Sequence, residues 1–287
     1  MGLFRNYYGK QKYKQYTRNG LIAMILIIVA VITLFPIYYM VISSLGAPTN
    51  AGGASYSLIP KSFSLDSYKF FFEYSEYSFR WILNSFIVAA VVTVSNVFFA
   101  SLAGYAFAKL RFPGCRFFFF LLLVAMMVPY QVTQVPLYIL VVNVLQMQDT
   151  YPALIAPTLV TCYNVFLAKQ FFTSLPTSII ESAKIEGCSQ PQIVWKIIMP
   201  LSKTILAVMA IMTFLGEWNT FFWPFLVCNS EQMQTIQVGL KNFSFANTTY
   251  FAPMMAGATI SALPMFILFF SLQRYFLEGV TVGAVKG

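Results

Sequence analysis

The chain has 287 residues, of which 59% are hydrophobic and only 9% charged, with a formal net charge of +9. Soluble domains carry about 25% charged residues, so this composition excludes a surface wetted on all sides and points to a bilayer. With no histidine and nine acidic residues, Ser–His and Cys–His nucleophile pairs and His-ligated metals are excluded, and carboxylate-pair chemistry has few candidates.

Residues 1–20 are polar and basic, with Arg5, Lys10, Lys12, Lys14 and Arg18, and are expected to form a cytoplasmic segment. The apolar run at 21–43 exceeds the ~7–15 residues of a signal-peptide core and predicts an uncleaved transmembrane helix. Roughly 20 apolar residues cross a bilayer core. Further runs of that kind lie at 81–107, 116–136, 153–172, 203–227 and 254–276. Pro129 and Pro136 interrupt the third, so Tyr130 to Leu145 is expected to be partly a separate helix at the outer surface. The expected fold is all-α: a polytopic membrane protein with six transmembrane helices. Residues 21–277 form the membrane domain and 278–287 a cytoplasmic tail.

Orientation follows from Lys and Arg, which accumulate on the cytoplasmic side. With both termini inside, the outer segments carry only Lys61, Lys69, Arg80 and Lys241 of the 18 basic residues. The Gly46–Arg80 loop then lies outside. Cys115, Cys162, Cys188 and Cys228 are scattered, form no C-x-x-C pair, and read as free thiols.

The largest cytoplasmic loop spans 173–202. Ser178 to Glu181 fits a capping box opening a helix of about two turns, with Gly187 placed to end it. Ser189-Gln190-Pro191-Gln192 fits a second start, and that helix is expected to stop at Met199-Pro200.

Glu181-Ser182-Ala183-Lys184-Ile185-Glu186-Gly187, followed by Ile197-Ile198-Met199-Pro200-Leu201, resembles the EAA loop of binding-protein-dependent ABC importer permeases. Glu181, Ala183, Gly187, Ile197 and Pro200 match that pattern, while Ser182 and Glu186 stand for its Ala and Asp. The resemblance extends over most of the chain. Ser101 to Lys109 with Phe112-Pro113-Gly114, Met127-Val128-Pro129, Trp218-Asn219 with Trp223-Pro224, and the ending Gln273 to Gly287 look like the carbohydrate-importing branch. Within it, the maltose-type six-helix permease subunit is the nearest likeness.

The resemblance implies import by alternating access, with the 173–202 loop docking on an ATPase. Glu181, Ser182, Ala183, Glu186, Gly187, Ile197 and Pro200 would be the docking residues. The chain has no G-x-x-x-x-G-K-[ST] phosphate loop, so it is expected to bind no cofactor itself. ATP and Mg would sit on two copies of a partner ATPase subunit. A second homologous permease and an extracellular substrate-binding protein are the other expected partners, and nucleic acid is not one.

Candidates for the substrate path are Glu217, Trp218 and Asn219. A carboxylate inside a membrane helix costs roughly 2.5–3.5 kcal/mol on insertion scales unless it faces protein or water. Glu217 therefore either accepts from solute hydroxyls or serves a structural hydrogen bond. Trp218, Phe221, Phe222 and Trp223 either stack on sugar rings or form an interfacial aromatic belt, and Asn219 either lines the path or packs helices. The rival functions are the same architecture carrying another solute such as a glycerophosphodiester, an intramembrane enzyme, and a passive channel.

Overall fold

The computed structural model describes residues 2–48, 58, 63–244 and 249–284, with side chains from Arg18 to Gln273 within those stretches. Residues 49–57 and 59–62 of the expected outer loop, including Lys61, and the ending 285–287 lie outside the described residues. Among the described residues three helices are long and apolar enough to cross a membrane, and the number rises to six if each of three bent helix pairs counts as one span. The chain is an all-α polytopic membrane protein.

Two units are distinguished: residues 1–71 with 244–259, and residues 72–243 with 260–287. In the first, α1 (Gly2–Ser44) is one uninterrupted helix. The basic segment expected to stand apart as 1–20 has a helical backbone from Gly2 onward. Nothing ends the helix there, since the segment holds no proline and its Lys, Arg and Gln residues favour helix. Every side chain from Arg18 to Tyr38 is exposed within the single chain, as lipid contact allows. The Ser67 hydroxyl donates to the Gly46 carbonyl at 2.6 Å, and the Ser44 and Tyr68 hydroxyls share a hydrogen bond at 2.7 Å. α2 (Asp66–Tyr74) follows.

The second unit is organised on α3 (Ser78–Lys109). Around it come α4 (Cys115–Met127), α5 (Tyr130–Val144), α6 (Tyr151–Thr158), α7 (Cys162–Ser174), α8 (Thr177–Ile185), α9 (Gln190–Leu201) and α10 (Lys203–Trp218). The short helices α11 (Phe222–Val227) and α12 (Ile236–Lys241) follow, then the long α13 (Phe251–Ala284). At Gly104 the backbones of α3 and α7 nearly touch: a Cβ there would stand 2.6 Å from the Ala168 Cβ and 2.8 Å from the Lys169 nitrogen.

Three expected spans differ from continuous helices. The third bends by 94° between α4 and α5, because Pro129 cannot continue α4. α5 then passes through Pro136 into a wider turn over Ile139–Val144. The fourth, expected as 153–172, breaks at 159–161 with a 40° bend. Pro157 closes α6 in a tighter turn, and the Thr161 hydroxyl caps α7 at the Asn164 amide. The fifth, expected as 203–227, ends at Trp218, and the chain restarts as α11. The Thr220 hydroxyl turns back onto the Gly216 carbonyl at 2.8 Å, which competes with helix continuation.

A break inside a membrane exposes backbone groups that lipid cannot hydrogen-bond, and α3 satisfies those of the fourth span. Asn96 donates to the Thr158 carbonyl at 2.6 Å and its Oδ1 accepts from the Thr161 amide at 2.9 Å. Ser95 donates to the Leu159 carbonyl at 3.0 Å. Asn164 then links Asn96 at 3.0 Å to the Thr213 hydroxyl at 2.8 Å, so one buried polar chain joins α3, α7 and α10.

Near Ser78, α3 fastens a connecting segment. Asn84 donates to the Gln232 and Gln234 carbonyls, both at 2.9 Å, and accepts from Tyr151 at 2.6 Å. Trp81 donates to the Glu231 carbonyl at 2.8 Å and packs flat against Gly239.

Asn96→Leu, with similar volume and no polar atoms, should lower the stability of the purified chain in detergent by about 1–3 kcal/mol, the cost of orphaning buried polar groups. Ser95→Ala should cost less. The midpoint of denaturant unfolding followed by Trp fluorescence checks this, and an unchanged midpoint for Asn96→Leu would separate the break from Asn96.

Candidate functional site

α8 has two faces. Ile180 and Ala183 are buried at 4% exposure each, packed into a cluster with Ala100, Tyr105, Ala168, Phe172, Ile193 and Ile198. Ser178, Glu181, Ser182 and Ile185 are exposed, and their spacing puts them on one helical stripe. Ile185 is 88% exposed, the most uncovered apolar side chain of the loop. Glu186 stands beside it at the helix end.

That end is a Schellman motif. The Cys188 amide donates to the Ala183 carbonyl at 2.9 Å and the Gly187 amide to the Lys184 carbonyl at 3.0 Å. Cys188 packs on the cluster that holds Ala183, the apolar contact that accompanies the motif. Gly187 has φ +82°, and a Cβ there would meet nothing within 4 Å. Its requirement is backbone conformation, with space left over.

The expected capping box at Ser178–Glu181 does not form. α8 starts one residue earlier, behind Pro176, with no side-chain cap. The second box forms, with the Gln192 side chain accepting from the Ser189 amide at 2.8 Å. α9 does not stop at Met199. It runs through Pro200 to Leu201 because Val194–Ile198 forms a π turn, which removes the need for the i→i−4 donor that proline lacks. Ile197 is partly buried against the same cluster and Pro200 is exposed.

The Lys109 end of α3 holds this loop. Tyr105 shares a hydrogen bond with the Gln190 side chain at 3.0 Å, and Lys109 donates to the Leu175 carbonyl at 2.6 Å. Trp195 stacks on Phe98, centroids 5.4 Å apart. Ala183, one of the expected docking residues, instead faces the protein's own core. Its size permits α8 to seat on α3.

The second cluster sits where the broken spans end. Tyr130 opens α5, Thr158 closes α6, and Glu217 and Asn219 flank the end of α10. The Thr158 hydroxyl donates to the Ile155 carbonyl at 3.5 Å, and Glu217 is half-buried. Asn219 is exposed, with its amide nitrogen on the Leu215 carbonyl at 2.8 Å and the Met265 sulfur at 3.2 Å. Trp218 is not open to a solute. It is 1% exposed, stacked on Phe214, with its indole N–H on the Ser261 carbonyl at 2.9 Å. Trp223 is likewise buried, donating to the Ala153 carbonyl at 2.9 Å. Phe221 and Phe222 remain exposed.

Sequence reading missed Asn96, Asn164 and Thr158. A lone Asn within the run 87–100 was the available signal, since polar groups at that depth need named partners.

Residues 96–282 match the family model described as binding-protein-dependent transport system inner membrane component. The arabinooligosaccharides transport system permease protein AraQ of Halalkalibacterium halodurans is 35% identical, over 90% of this chain and 93% of its own. The sn-glycerol-3-phosphate transport system permease protein UgpE of Brucella abortus is 31% identical, over 90% and 94%. Among solved structures, a bacterial ABC transporter involved in the import of the acidic polysaccharide alginate superposes with TM-score 0.78 at 23% identity, over 90% of this chain and 96% of that one. This last likeness concerns the fold.

Gly187→Val should strain the helix end by about 1–2 kcal/mol, the cost of a left-handed conformation for a residue with a Cβ, and Gly187→Asn should cost less. Hydrogen exchange at the Gly187 and Cys188 amides in the full chain reads this directly. Equal protection in both variants would contradict it.

Proposed function

The chain belongs to the binding-protein-dependent transport system inner membrane component family, and on that premise we propose that it is the permease subunit of an ATP-driven carbohydrate importer. The observation that carries the reading is the α8–α9 loop. It is a short helix with one face seated in the protein's own hydrophobic core and the other bare, ended by a stiff turn. Such an element passes displacement to the helices behind it with little loss in its own bending.

ATP and Mg are bound by two copies of a separate ATPase subunit. One copy receives Ser178, Glu181, Ser182, Ile185 and Glu186. Glu181 and Glu186 offer charge-assisted hydrogen bonds, and Ile185 supplies apolar area at the centre of the contact. Closure of the ATPase pair moves α8. α3, held to the loop at Tyr105 and Lys109, moves with it, and the cavity opens toward an extracellular binding protein. A second, homologous permease completes that cavity, and Glu217 and Asn219 line this chain's share of it. Both termini are cytoplasmic, as the distribution of Lys and Arg supports.

The substrate class is supported by the arabinooligosaccharide permeases among the relatives. The glycerol-3-phosphate permeases support a second reading in which the same architecture carries an anionic solute. Uptake of the two solute classes by the assembled transporter separates them.

Ile185→Asp should reduce co-purification of the ATPase subunit by tenfold or more and abolish solute-stimulated ATP hydrolysis and uptake, while the binding protein still docks. Retained attachment and coupling would remove the loop as the transmission element. For orientation, a thiol introduced at Phe63 should react with an impermeant reagent from outside, and one at Lys184 should not. The reverse pattern would invert the topology.

A further inference from the structure

Four basic side chains that the transport reading does not use lie around the end of α3 that holds the α8–α9 loop: Lys109, Arg111, Arg116 and Lys169. Aromatic rings join them into one surface. The Phe119 ring of α4 stands 5.6 Å from that of Phe107 on α3 and 6.4 Å from that of Phe166 on α7, and Phe107 lies 5.9 Å from Phe112. The Lys169 ammonium sits over Phe119, 4.6 Å from the ring centroid. Lys109 follows Phe107 by two residues and Arg111 directly precedes Phe112. Arg116, three positions before Phe119, shares its helix face. Arg111 and Arg116 are exposed, and Lys109 and Lys169 are partly so.

These charges have no counter-ion on the elements that present them. α3, α4, α7 and the 110–114 link contain no Asp or Glu. Between Glu76 and Glu181 the one acidic residue is Asp149, whose carboxylate accepts from the Ser230 amide at 2.8 Å. Lys169 stands five residues before Ser174, the end of α7, about 7.5 Å along the axis. A cation at that depth in a membrane helix calls for a partner. The Phe119 ring attracts the ammonium but brings no negative charge. Beside the cations lies an apolar face. No α4 side chain is buried, and Phe117, Phe118, Phe120 and Leu121 are all more than half exposed. An apolar face that starts at a basic cluster and runs on into the span matches a phospholipid, whose acyl chains continue from its headgroup. A soluble anion would use the charges alone.

We propose that this surface binds an anionic phospholipid of the inner leaflet, with its phosphate on Arg111, Arg116 and Lys169 and its acyl chains along α4. Guanidinium groups receive phosphate oxygens in pairs, and basic pockets between membrane helices hold anionic headgroups in this way. Lys109 adds its charge from the side while its ammonium donates to the Leu175 carbonyl at 2.6 Å. The choice of leaflet rests on the orientation proposed above. The preference for an anionic lipid rests on the four side chains. A lipid held there bridges α3, α4 and α7 beside the α8–α9 loop.

The test titrates the purified full chain in neutral detergent with dioleoyl phosphatidylglycerol and, separately, with dioleoyl phosphatidylcholine, and counts bound lipid by native mass spectrometry. Both lipids carry the phosphodiester, and only the first has a net charge. Wild type should bind phosphatidylglycerol at least about fivefold more tightly than phosphatidylcholine. Lys169→Met combined with Arg116→Gln removes two of the charges and should bring the two lipids to within about twofold. Lys169→Arg keeps the charge and should keep the preference, which separates charge from packing. Lys203→Gln, at an exposed basic residue that starts α10, should keep it too. Equal binding of the two lipids by wild type would overturn the site. So would a preference that survives the double substitution, or one that Lys203→Gln abolishes, since general surface charge would then be its source. Glycerophosphoglycerol, the same headgroup without acyl chains, should not displace the lipid at equal concentration. Displacement would assign the surface to a free phosphodiester and overturn the lipid. No readout involves solute, ATPase or uptake, so failure here leaves the importer reading intact, and failed carbohydrate uptake leaves the lipid site intact.

Discussion

The bilayer offers no hydrogen bonds, and this chain interrupts its spans inside it. Each interruption leaves carbonyls and amides whose partners the protein must provide. In the fourth span the provision is made by two adjacent residues of α3. Asn96 takes both the Thr158 carbonyl and the Thr161 amide, and Ser95 takes the Leu159 carbonyl. The two sides of one break are thereby pinned to a single point on a neighbouring helix. Because Asn164 and Thr213 continue the chain of bonds into α10, the rotation and depth of three helices are set by one buried polar cluster. In water such a cluster would compete with solvent. Here the alternative to each bond is an orphaned group, and that asymmetry rather than the strength of any single bond is what fixes the geometry.

The same helix is gripped at both ends. Trp81, Asn84 and Ser85 hold the segment around 231–236 at one end. Tyr105 and Lys109 hold the α8–α9 loop at the other, and Gly104 lets α7 approach until backbones meet. A packed interior transmits displacement instead of absorbing it, so movement of α8 reaches the polar cluster at Asn96 and the ends of α6 and α10 through α3. A long helix carrying a small residue where it is crossed and polar residues where it is bonded joins the loop to the polar cluster at Asn96.

Much of this was legible in the sequence. Six runs of apolar length give the spans, and Gly187 after a two-turn helix gives the left-handed turn that the φ of +82° displays. The breaks were less legible. A hydropathy window passes straight over Thr158–Thr161 and Asn219–Phe221, because the residues after each break are as apolar as those before it. Pro129 was the exception, since proline acts on the backbone and needs no context. Pro200 acts one residue later: α9 runs through it behind the π turn of Val194–Ile198, ends at Leu201, and the chain bends by 80° into α10. Ala183 was legible as a small residue but not as an inward one. Smallness at a helix surface has the same appearance in sequence whether the neighbour is the protein's own core or a partner, and only the buried Ile180 one turn before it decides between them.

Trp218 and Glu217 illustrate how adjacent residues divide the labour. Successive positions on a helix point about 100° apart, so if one is committed to the interior the next is turned away from it. Trp218 is committed thoroughly. Its indole N–H bonds the Ser261 carbonyl, its ring stacks on Phe214, and its own carbonyl accepts from Gln237, which also reaches the Ser261 hydroxyl. An aromatic side chain held by ring, nitrogen and backbone leaves α10 no freedom to rotate about its axis. The directions of Glu217 and Asn219 are therefore consequences of how Trp218 is packed, and Asn219 turns its amide onto the Leu215 carbonyl and the Met265 sulfur. The tryptophan is buried, and its packing sets the directions of the residues on either side of it.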